Sequence, residues 1–345
     1  MNIVHIINTT STGGAENILL NSVGGFKKYW PESKHYLVVL YSFNGDSRLG
    51  QFEEVLHLNT SMKLVLSKTW KIRNFVKKND IKVIHSHLFD SLIVARMTKT
   101  RRQKLLHTYH SIDYSKGALH HSPWRIFMDK ITYRNTTVIY VSKSVKEAVQ
   151  SQIPAQKPHG KVVPNFCTEE FFDCYKPNNR EELRLVAVGS LRTAKNYPLL
   201  IRSASKVSSK KVFVDIYGEG SLKGELQNQI DILKSPITLK GNQIISSNLL
   251  AQYDAFVMTS IIEGMPVALI EAITSGMPSI LPYHLPVMKE IADESAYYFS
   301  SEEHLIEILS KINKRELVKK ATLAKNRSKN YTLRKYVSSM RKLYH

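Results

Sequence analysis

The sequence predicts an α/β protein made of two doubly wound parallel-sheet units. Three observations predict it. Short apolar runs of strand character alternate with amphipathic stretches along almost the whole chain. The runs fall into two series, separated by a stretch rich in proline, asparagine and charge. The length of 345 residues is also enough for two domains of ordinary size.

The first series of candidate strands is Ile3–Ile7, Tyr36–Tyr41, Val83–His87, Leu105–His110 and Val138–Val141. Amphipathic stretches such as Lys63–Lys78 and Ser91–Met97 lie between them. The second series is Leu185–Val188, Val212–Tyr217, Ile237–Leu239, Ala255–Thr259 and Ser279–Leu281. The seam falls in PNFCTEEFFDCYKPNNREE, Pro164 to Glu182. This gives a first domain over 1–165, a linker over 166–182, a second domain over 183–328, and a basic helical ending over 329–345.

Composition narrows the class. Hydrophobic residues make up 43% and charged residues 23%, the balance of a soluble globular protein. No run of about 18 apolar residues occurs, so no membrane-spanning helix is expected. The opening MNIVHIINTT lacks a basic flank, and His5 interrupts its apolar stretch, so it reads as a first strand rather than a signal peptide. Cys167 and Cys174 have no metal-ligand companions and read as free thiols of a reducing cytoplasm.

The net charge of +20 is unevenly placed. Residues 1–165 carry 24 Lys and Arg against 10 Asp and Glu, residues 166–310 carry 13 against 18, and the last 35 carry 12 against 1. A first half and a tail this basic imply a polyanionic partner, either nucleic acid or an anionic membrane face. A solvated lysine-rich surface is the plainer alternative. No recognition module or aromatic stacking platform accompanies the charge, which argues against nucleic acid.

In open parallel sheets, ligands bind outside the carboxyl ends of the strands. The candidate residues therefore lie in strand-to-helix loops. In NTTSTGGAEN, Gly13 and Gly14 precede a helix beginning near Ala15, whose free N–H groups could meet an anion. The full dinucleotide fingerprint is absent, so a plain tight turn fits equally well. His85 and His87 end a strand on one face. No third ligand is spaced to complete a metal site with them, so packing and hydrogen bonding are expected. His110 ends the next strand, and Ser111-Ile112-Asp113 opens a loop beside it.

In AVGSLRTAKNYPLL, Arg192 and Lys195 leave one glycine turn together, where cations could meet a diphosphate. DIYGEGSLKGEL carries Gly218 after a strand, and TLKGNQ ends another strand near Asn242, where backbone could read a flat base. SIIEGMPVALIEAITSGMP places Glu263 and Glu271 with seven residues between them. Pro266 suits the first position of a helix. Glu271 then lies about 7–8 Å further along the axis. That separation suits two grips on one elongated ligand better than a proton-sharing pair.

Together these stretches resemble the retaining nucleotide-sugar glycosyltransferases of family 4, with the GT-B fold. The resemblance runs nearly end to end, through TGGAE, VVPNF, VGSLRTAKN, YGEGSLKGEL, LKGN and EGMPVALIE followed by AITSGMPSILP. It implies a role for each candidate. Glu263 faces the donor sugar, and the backbone of Gly264, Met265 and Val267 surrounds sugar and phosphate. Glu271 takes the ribose hydroxyls, Lys195 the diphosphate, and Gly218 and Asn242 belong to nucleotide-side loops. Gly14 lets the first loop close on phosphate, and His110 lies near the reacting centre. The family's usual arginine after the turn glycine is Ser190 here, with Arg192 or another cation expected in its stead.

The resemblance also implies the partners. The donor is a nucleotide sugar, expected to be a UDP-sugar, and the acceptor is a lipid-linked or other glycan. No metal or other cofactor and no nucleic acid is expected. The first domain holds the acceptor, and the terminal helix crosses back onto it, uniting the basic segments in one cationic surface. A cytoplasmic enzyme peripheral to the inner face of the cell membrane follows, working in capsular or O-antigen polysaccharide assembly. A catalytically silent sugar-nucleotide binder and an epimerase or phosphorylase of the same fold are the alternatives.

Overall fold

A computed structural model describes residues 1–10, 13–43, 45–61, 64–111, 123–133, 136–153, 160–177, 181–207 and 212–345. The chain divides into two compact units, Met1–Phe166 with Leu333–His345, and Cys167–Thr332. Thr12, Lys63, the loop after Ser111 and residues 178–180 of the expected seam lie outside the described residues.

The first unit runs β1 (Asn2–Ile7), α1 (Gly14–Tyr29), β2 (Lys34–Val39), β3 (Val55–His57), α2 (Thr69–Lys78), β4 (Val83–His87) and α3 (Phe89–Thr98). It continues through β5 (Lys104–Tyr109), α4 (Pro123–Thr132), β6 (Thr137–Tyr140), α5 (Lys143–Gln152) and β7 (Gly160–Val162). The second unit holds β8 (Leu183–Val188), α6 (Tyr197–Ser205), β9 (Val212–Tyr217), α7 (Lys223–Leu233), β10 (Ile237–Gly241) and α8 (Ser247–Leu250). Then come β11 (Ala255–Val257), α9 (Val267–Ser275), β12 (Ser279–Pro282), α10 (Pro286–Ala292), β13 (Ala296–Phe299), α11 (Glu302–Lys311) and α12 (Lys314–Ser328). The last helix, α13 (Leu333–Tyr344), belongs to the first unit.

Both sheets are parallel. The first has the order β3-β2-β1-β4-β5-β6-β7, the second β10-β9-β8-β11-β12-β13. The order reverses between β1 and β4 in one and between β8 and β11 in the other. At such a switch point the flanking connections return over opposite faces and leave a crevice at the strand ends. Alternation within the strands sorts the faces. Val4, Ile6 and Ile84 pack with Ile72 and Val94 of α2 and α3. Ile7, Leu37 and Val39 pack with Leu19, Leu20 and Val23 of α1 on the other face. The terminal helix lies on the α1 side: Tyr344 sits 5.8 Å from Phe26 and 6.0 Å from Trp30, ring centre to ring centre.

Three strands escape the periodic reading: β3, β7 and β13. All three lie at sheet edges and have three or four residues, too few to establish alternation. Part of the expected linker is also structural. Phe171 and Tyr175 are buried, and the Tyr175 hydroxyl donates to the Asp254 carbonyl at 3.1 Å. Residues 167–177 are thus packed into the second unit, because two aromatic rings remove their surface from water there.

A buried ion pair fastens α4 to α3. Arg96 Nη1 lies 2.7 Å from Asp129 Oδ1, with side-chain exposures of 2% and 0%. The Tyr109 hydroxyl donates to Asp129 Oδ2 at 2.7 Å, and Arg96 Nη1 also donates to Thr132 Oγ1 at 2.9 Å. Asp129→Ala leaves the buried guanidinium without its counter-charge and should cost roughly 3–5 kcal/mol in denaturant unfolding. Replacing both partners, Arg96→Met with Asp129→Leu, should recover most of that loss.

Candidate active site

The second unit assembles its site from loops that leave adjacent strands. After β8 the chain passes Gly189, Ser190 and the buried Leu191, then makes a short 3-10 turn at Thr193–Lys195. Asn196, with φ 50°, reverses the chain into α6. The loop after β9 lies against this turn: Leu191 N–H donates to the Glu219 carbonyl at 3.0 Å and Gly189 N–H to that of Tyr217 at 2.9 Å. A Cβ on Gly218 would come within 2.1 Å of the Gly189 carbonyl oxygen, and one on Gly220 within 2.4 Å of that of Leu191. These two glycines are therefore required by the backbone approach of one loop to another. Gly218 N–H donates to the Gly241 carbonyl at 2.8 Å, which ties in the loop after β10. Asn242 follows, exposed.

The loop after β11 closes on the same turn. Thr259 Oγ1 reaches the carbonyls of Lys195 and Asn196 at 3.0 and 3.1 Å, and Ile261 N–H donates to Ala194 at 2.9 Å. This brings Lys195 and Glu263 together. Lys195 Nζ donates to Glu263 Oε1 at 2.6 Å, and Ser260 Oγ donates to the same oxygen at 2.8 Å. The side chains are 19% and 12% exposed, so the pair is largely but not wholly withdrawn from water. Glu263 Oε2 has no hydrogen-bond partner among the described residues. Ser190 is half-buried, and Arg192 is exposed with no acidic partner among the described residues.

Sequence reasoning gave Lys195 and Glu263 separate tasks and did not foresee their pairing. It also missed Ser260 and Thr259. The spacing Ser-x-x-Glu at Ser260–Glu263, the same that builds helix capping boxes, could have pointed to the serine.

Pro266 stands one place earlier than expected. It is the residue before the first turn of α9, in extended conformation at ψ 117°, and no side chain caps the helix. The first-turn N–H groups of α9 thus have no intrahelical acceptor. Gly264 and Met265 lead into this turn, both buried, and Val267 opens it. Glu271 projects from the second turn. The residue is half-buried as a whole, but its carboxyl end is buried near Cys167 and the like charge of Glu170, with no hydrogen-bond partner among the described residues. Desolvation first, then Glu170, pushes its pKa up to about 8.

In the first unit, Gly14 is the first helical residue of α1 and is exposed. The carboxyl of Glu16 folds back over Gly13, where a Cβ would meet its Oε2 at 2.2 Å, and Thr9 Oγ1 donates to Glu16 Oε1 at 3.0 Å. His110 follows β5, half-buried, with Nε2 3.2 Å from His87 Nδ1. The expectation that His85 and His87 lack a third imidazole is corrected. His5 of β1, paired in register with His85, places its Nδ1 3.4 Å from His87 Nε2. A spacing of some 80 residues between the two strands hid this neighbour.

The raised pKa of Glu271 has a direct consequence. An ordinary glutamate titrates near 4.3 in the unfolded chain and this one near 8 in the folded protein. Between those values the folded state binds more protons, so this group's contribution to stability falls as pH rises, by up to about 1.4 kcal/mol per unit. Glu271→Gln lacks that slope. In urea unfolding it should match the wild type near pH 5 and exceed it by about 2 kcal/mol or more near pH 8. An equal gap at both pH values would contradict the buried, protonated carboxyl.

Two family models match the chain and abut one another. The model of Glycosyltransferase Family 4 covers residues 12–171, and that of Glycosyl transferases group 1 covers 171–331. An Escherichia coli UDP-Gal:alpha-D-GlcNAc-diphosphoundecaprenol alpha-1,3-galactosyltransferase is 27% identical over 70% of this chain and 68% of its own. Among solved structures, Anabaena HepE in complex with UDP and glucose superposes with TM-score 0.82 at 16% identity, over 99% of each chain. Sucrose-phosphate synthase from Thermosynechococcus elongatus gives TM-score 0.83 at 15% identity, over 100% of this chain and 98% of its own. With two parallel α/β units, loops converging at a switch point and both family models matched in series, the chain belongs to glycosyltransferase family 4 and has the GT-B fold.

Proposed function

We propose that the chain moves a hexosyl unit from a UDP-sugar to a lipid-linked glycan acceptor, with retention of anomeric configuration, in capsular or O-antigen polysaccharide assembly. The observation that carries this reading is the Lys195–Glu263 pair at the switch point of the second sheet, next in sequence to the uncapped start of α9. The names of two similar proteins support the ligand classes: one acts from UDP-Gal on a diphosphoundecaprenol-linked sugar, and one was solved with UDP and glucose.

In this reading an arriving diphosphate competes with Glu263 for Lys195. The lysine and the N–H groups of α9 take the phosphates, which frees Glu263 to accept from sugar hydroxyls. The C1–O bond then breaks with its electron pair passing to the diphosphate, where Lys195 and the helix N-terminus meet the developing charge. The acceptor hydroxyl bonds to C1 on the face the diphosphate leaves, and its proton passes to the departing phosphate oxygen. Glu271 receives the two ribose hydroxyls. Hydroxyl donors favour the ionised carboxylate, so nucleotide binding at pH 7 releases a proton from this group.

Thermal melting with UDP-, GDP- and ADP-sugars tests the donor. Saturation at a hundred times Kd adds about 2.7 kcal/mol, and UDP-sugars should give the largest rise in Tm. Glu271→Ala should weaken UDP itself, while Glu263→Ala should lower kcat for labelled sugar transfer about 100-fold or more with UDP affinity kept. Stabilisation without transfer would leave a silent binder; no stabilisation by any nucleotide sugar would remove the reading.

The proposal places the enzyme on the inner membrane face, and one surface of the first unit supports it. No helix among the described residues is long and apolar enough to cross a membrane. However, α4 exposes Trp124, Phe127 and Ile131 by 65, 51 and 58%, at one-face helical spacing. Trp70 of α2 and Met97 of α3 are also exposed. Lys71 Nζ lies 5.7 Å from the Trp70 ring centre and Arg73 donates to the Met97 carbonyl, and Arg101, Arg102 and Lys130 of the same unit are exposed too. Exposed aromatic side chains accompanied by cations suit the headgroup region of an anionic bilayer. The basic residues of α13 do not extend this patch, because α13 packs over α1 on the opposite face of the sheet. Co-sedimentation should show binding to phosphatidylglycerol-containing vesicles, loss of at least tenfold in Trp124→Ser with Phe127→Ser, and little binding to neutral vesicles. Equal pelleting with both vesicle types, or dimerisation through this face instead, would overturn the membrane assignment.

A further inference from the structure

Four histidines of the first unit form a single hydrogen-bonded line across strands β2, β1 and β4 to the end of β5. A neutral imidazole has one N–H and one lone pair, so in such a line each ring dictates the tautomer of the next. Ser33 sets the direction. Its Oγ donates to the Trp30 carbonyl at 2.7 Å, and a carbonyl can only accept. The hydroxyl's one proton is committed there, so Ser33 must accept from His35 Nε2, 2.9 Å away. His35 therefore holds its proton on Nε2 and offers Nδ1.

The constraint then passes along the line. His5 Nε2, 2.9 Å from His35 Nδ1, must donate. That leaves His5 Nδ1 to accept from His87 Nε2 at 3.4 Å. His87 Nδ1 in turn accepts from His110 Nε2 at 3.2 Å. We propose that this buried line fixes His110 as the Nε2–H tautomer, so that its Nδ1 presents a lone pair, and that Ser33, His35, His5 and His87 act as positioning residues for it. Burial supports the premise of neutral rings: it lowers His5 and His87 well below the usual histidine range, His35 to about 3 and His110 to about 4.

The line is not a proton exit, because it ends on a hydroxyl committed to a carbonyl inside the fold. Nor is it arranged as a metal site. The ligand nitrogens of His5, His85 and His87 lie within 4.8 Å of one another, but both nitrogens of each ring already have hydrogen-bond partners. His85 spends its two on the Tyr344 hydroxyl and Thr108 Oγ1, each at 2.8 Å. The lone pair at His110 Nδ1 can accept from a substrate hydroxyl; which hydroxyl that is rests on the proposed transferase reading, while the tautomer does not.

The test is imidazole nitrogen and proton NMR on isotope-labelled full-length protein without ligand. His35, His5, His87 and His110 should each show a protonated Nε2 and an unprotonated Nδ1. Ser33→Ala should lose the single-tautomer pattern at His35, and Ser33→Thr should restore it. His87→Phe should turn His110 into a tautomer mixture. A proton on Nδ1 of any of the four rings in the wild type overturns the proposal. So does an unchanged pattern in Ser33→Ala, the mildest substitution, or in a folded His87→Phe. Zinc that shifts His5, His85 and His87 together would overturn it in favour of a metal site. Loss of transfer with the tautomer pattern intact would count against the catalytic reading alone.

Discussion

The reversal of strand order between β8 and β11 is the constraint on which the second unit's site depends. Because β8 and β11 are neighbours, the loops that follow them start side by side. Because their connections return over different faces, those loops part and leave room between them. On one face α6, α7 and α11 cover the sheet, with Leu200, Leu226 and Leu305 among the buried contacts. Against the other, α9 packs with α12. A cation placed after the first strand and a carboxylate after the second must then meet, and Lys195 and Glu263 do so at 2.6 Å. The first sheet repeats the device between β1 and β4, where Asn8 Nδ2 donates to Asp90 Oδ2 at 3.3 Å.

Holding the pair in place takes more than topology. Without side chains at Gly218 and Gly220, the loops after β8 and β9 share backbone hydrogen bonds, so the turn that carries Lys195 has little freedom of its own. Thr259 and Ile261 fasten the same turn from the other side. Preorganisation of this kind lets a charge act on a ligand without first being ordered. It also gives Gly218 a structural role whether or not it touches a nucleotide.

Much of this was legible beforehand, and the parts that were not share a cause. Apolar runs such as Ala255–Thr259 declare strands because both faces are covered and alternation is not needed. The edge strands β3, β7 and β13 declare nothing, since they are short and half covered. The Glu-x7-Glu spacing signals two carboxylates at a helix start, and the loop glycines mark the turns. Periodicity reports which face a residue takes but not which strand lies beside it. His5 was visible as a polar break in an apolar strand, yet its neighbours His35 and His87 could come only from the sheet order β2-β1-β4. The Lys195–Glu263 contact was hidden for the same reason: 68 residues separate the partners.

Two withdrawn ion pairs, one in each unit, show how exposure separates a fixed charge from an exchangeable one. Arg96 and Asp129 are 2% and 0% exposed, with the Tyr109 and Thr132 hydroxyls as further buried partners. Opening that pair would leave each ion in a low-dielectric layer, a cost of several kcal/mol, so it serves the fold. Lys195 and Glu263 are 19% and 12% exposed, and Glu263 keeps one oxygen without a hydrogen-bond partner among the described residues. An incoming anion can replace the carboxylate at Lys195 while hydroxyl groups replace the lysine at Glu263, and neither ion passes through an uncompensated state. Glu271, nearby in sequence, follows the opposite course. With no cation beside it among the described residues, burial holds it mostly protonated at neutral pH, where it costs the fold little; in the proposed reading it becomes charged as hydroxyl donors arrive to stabilise it.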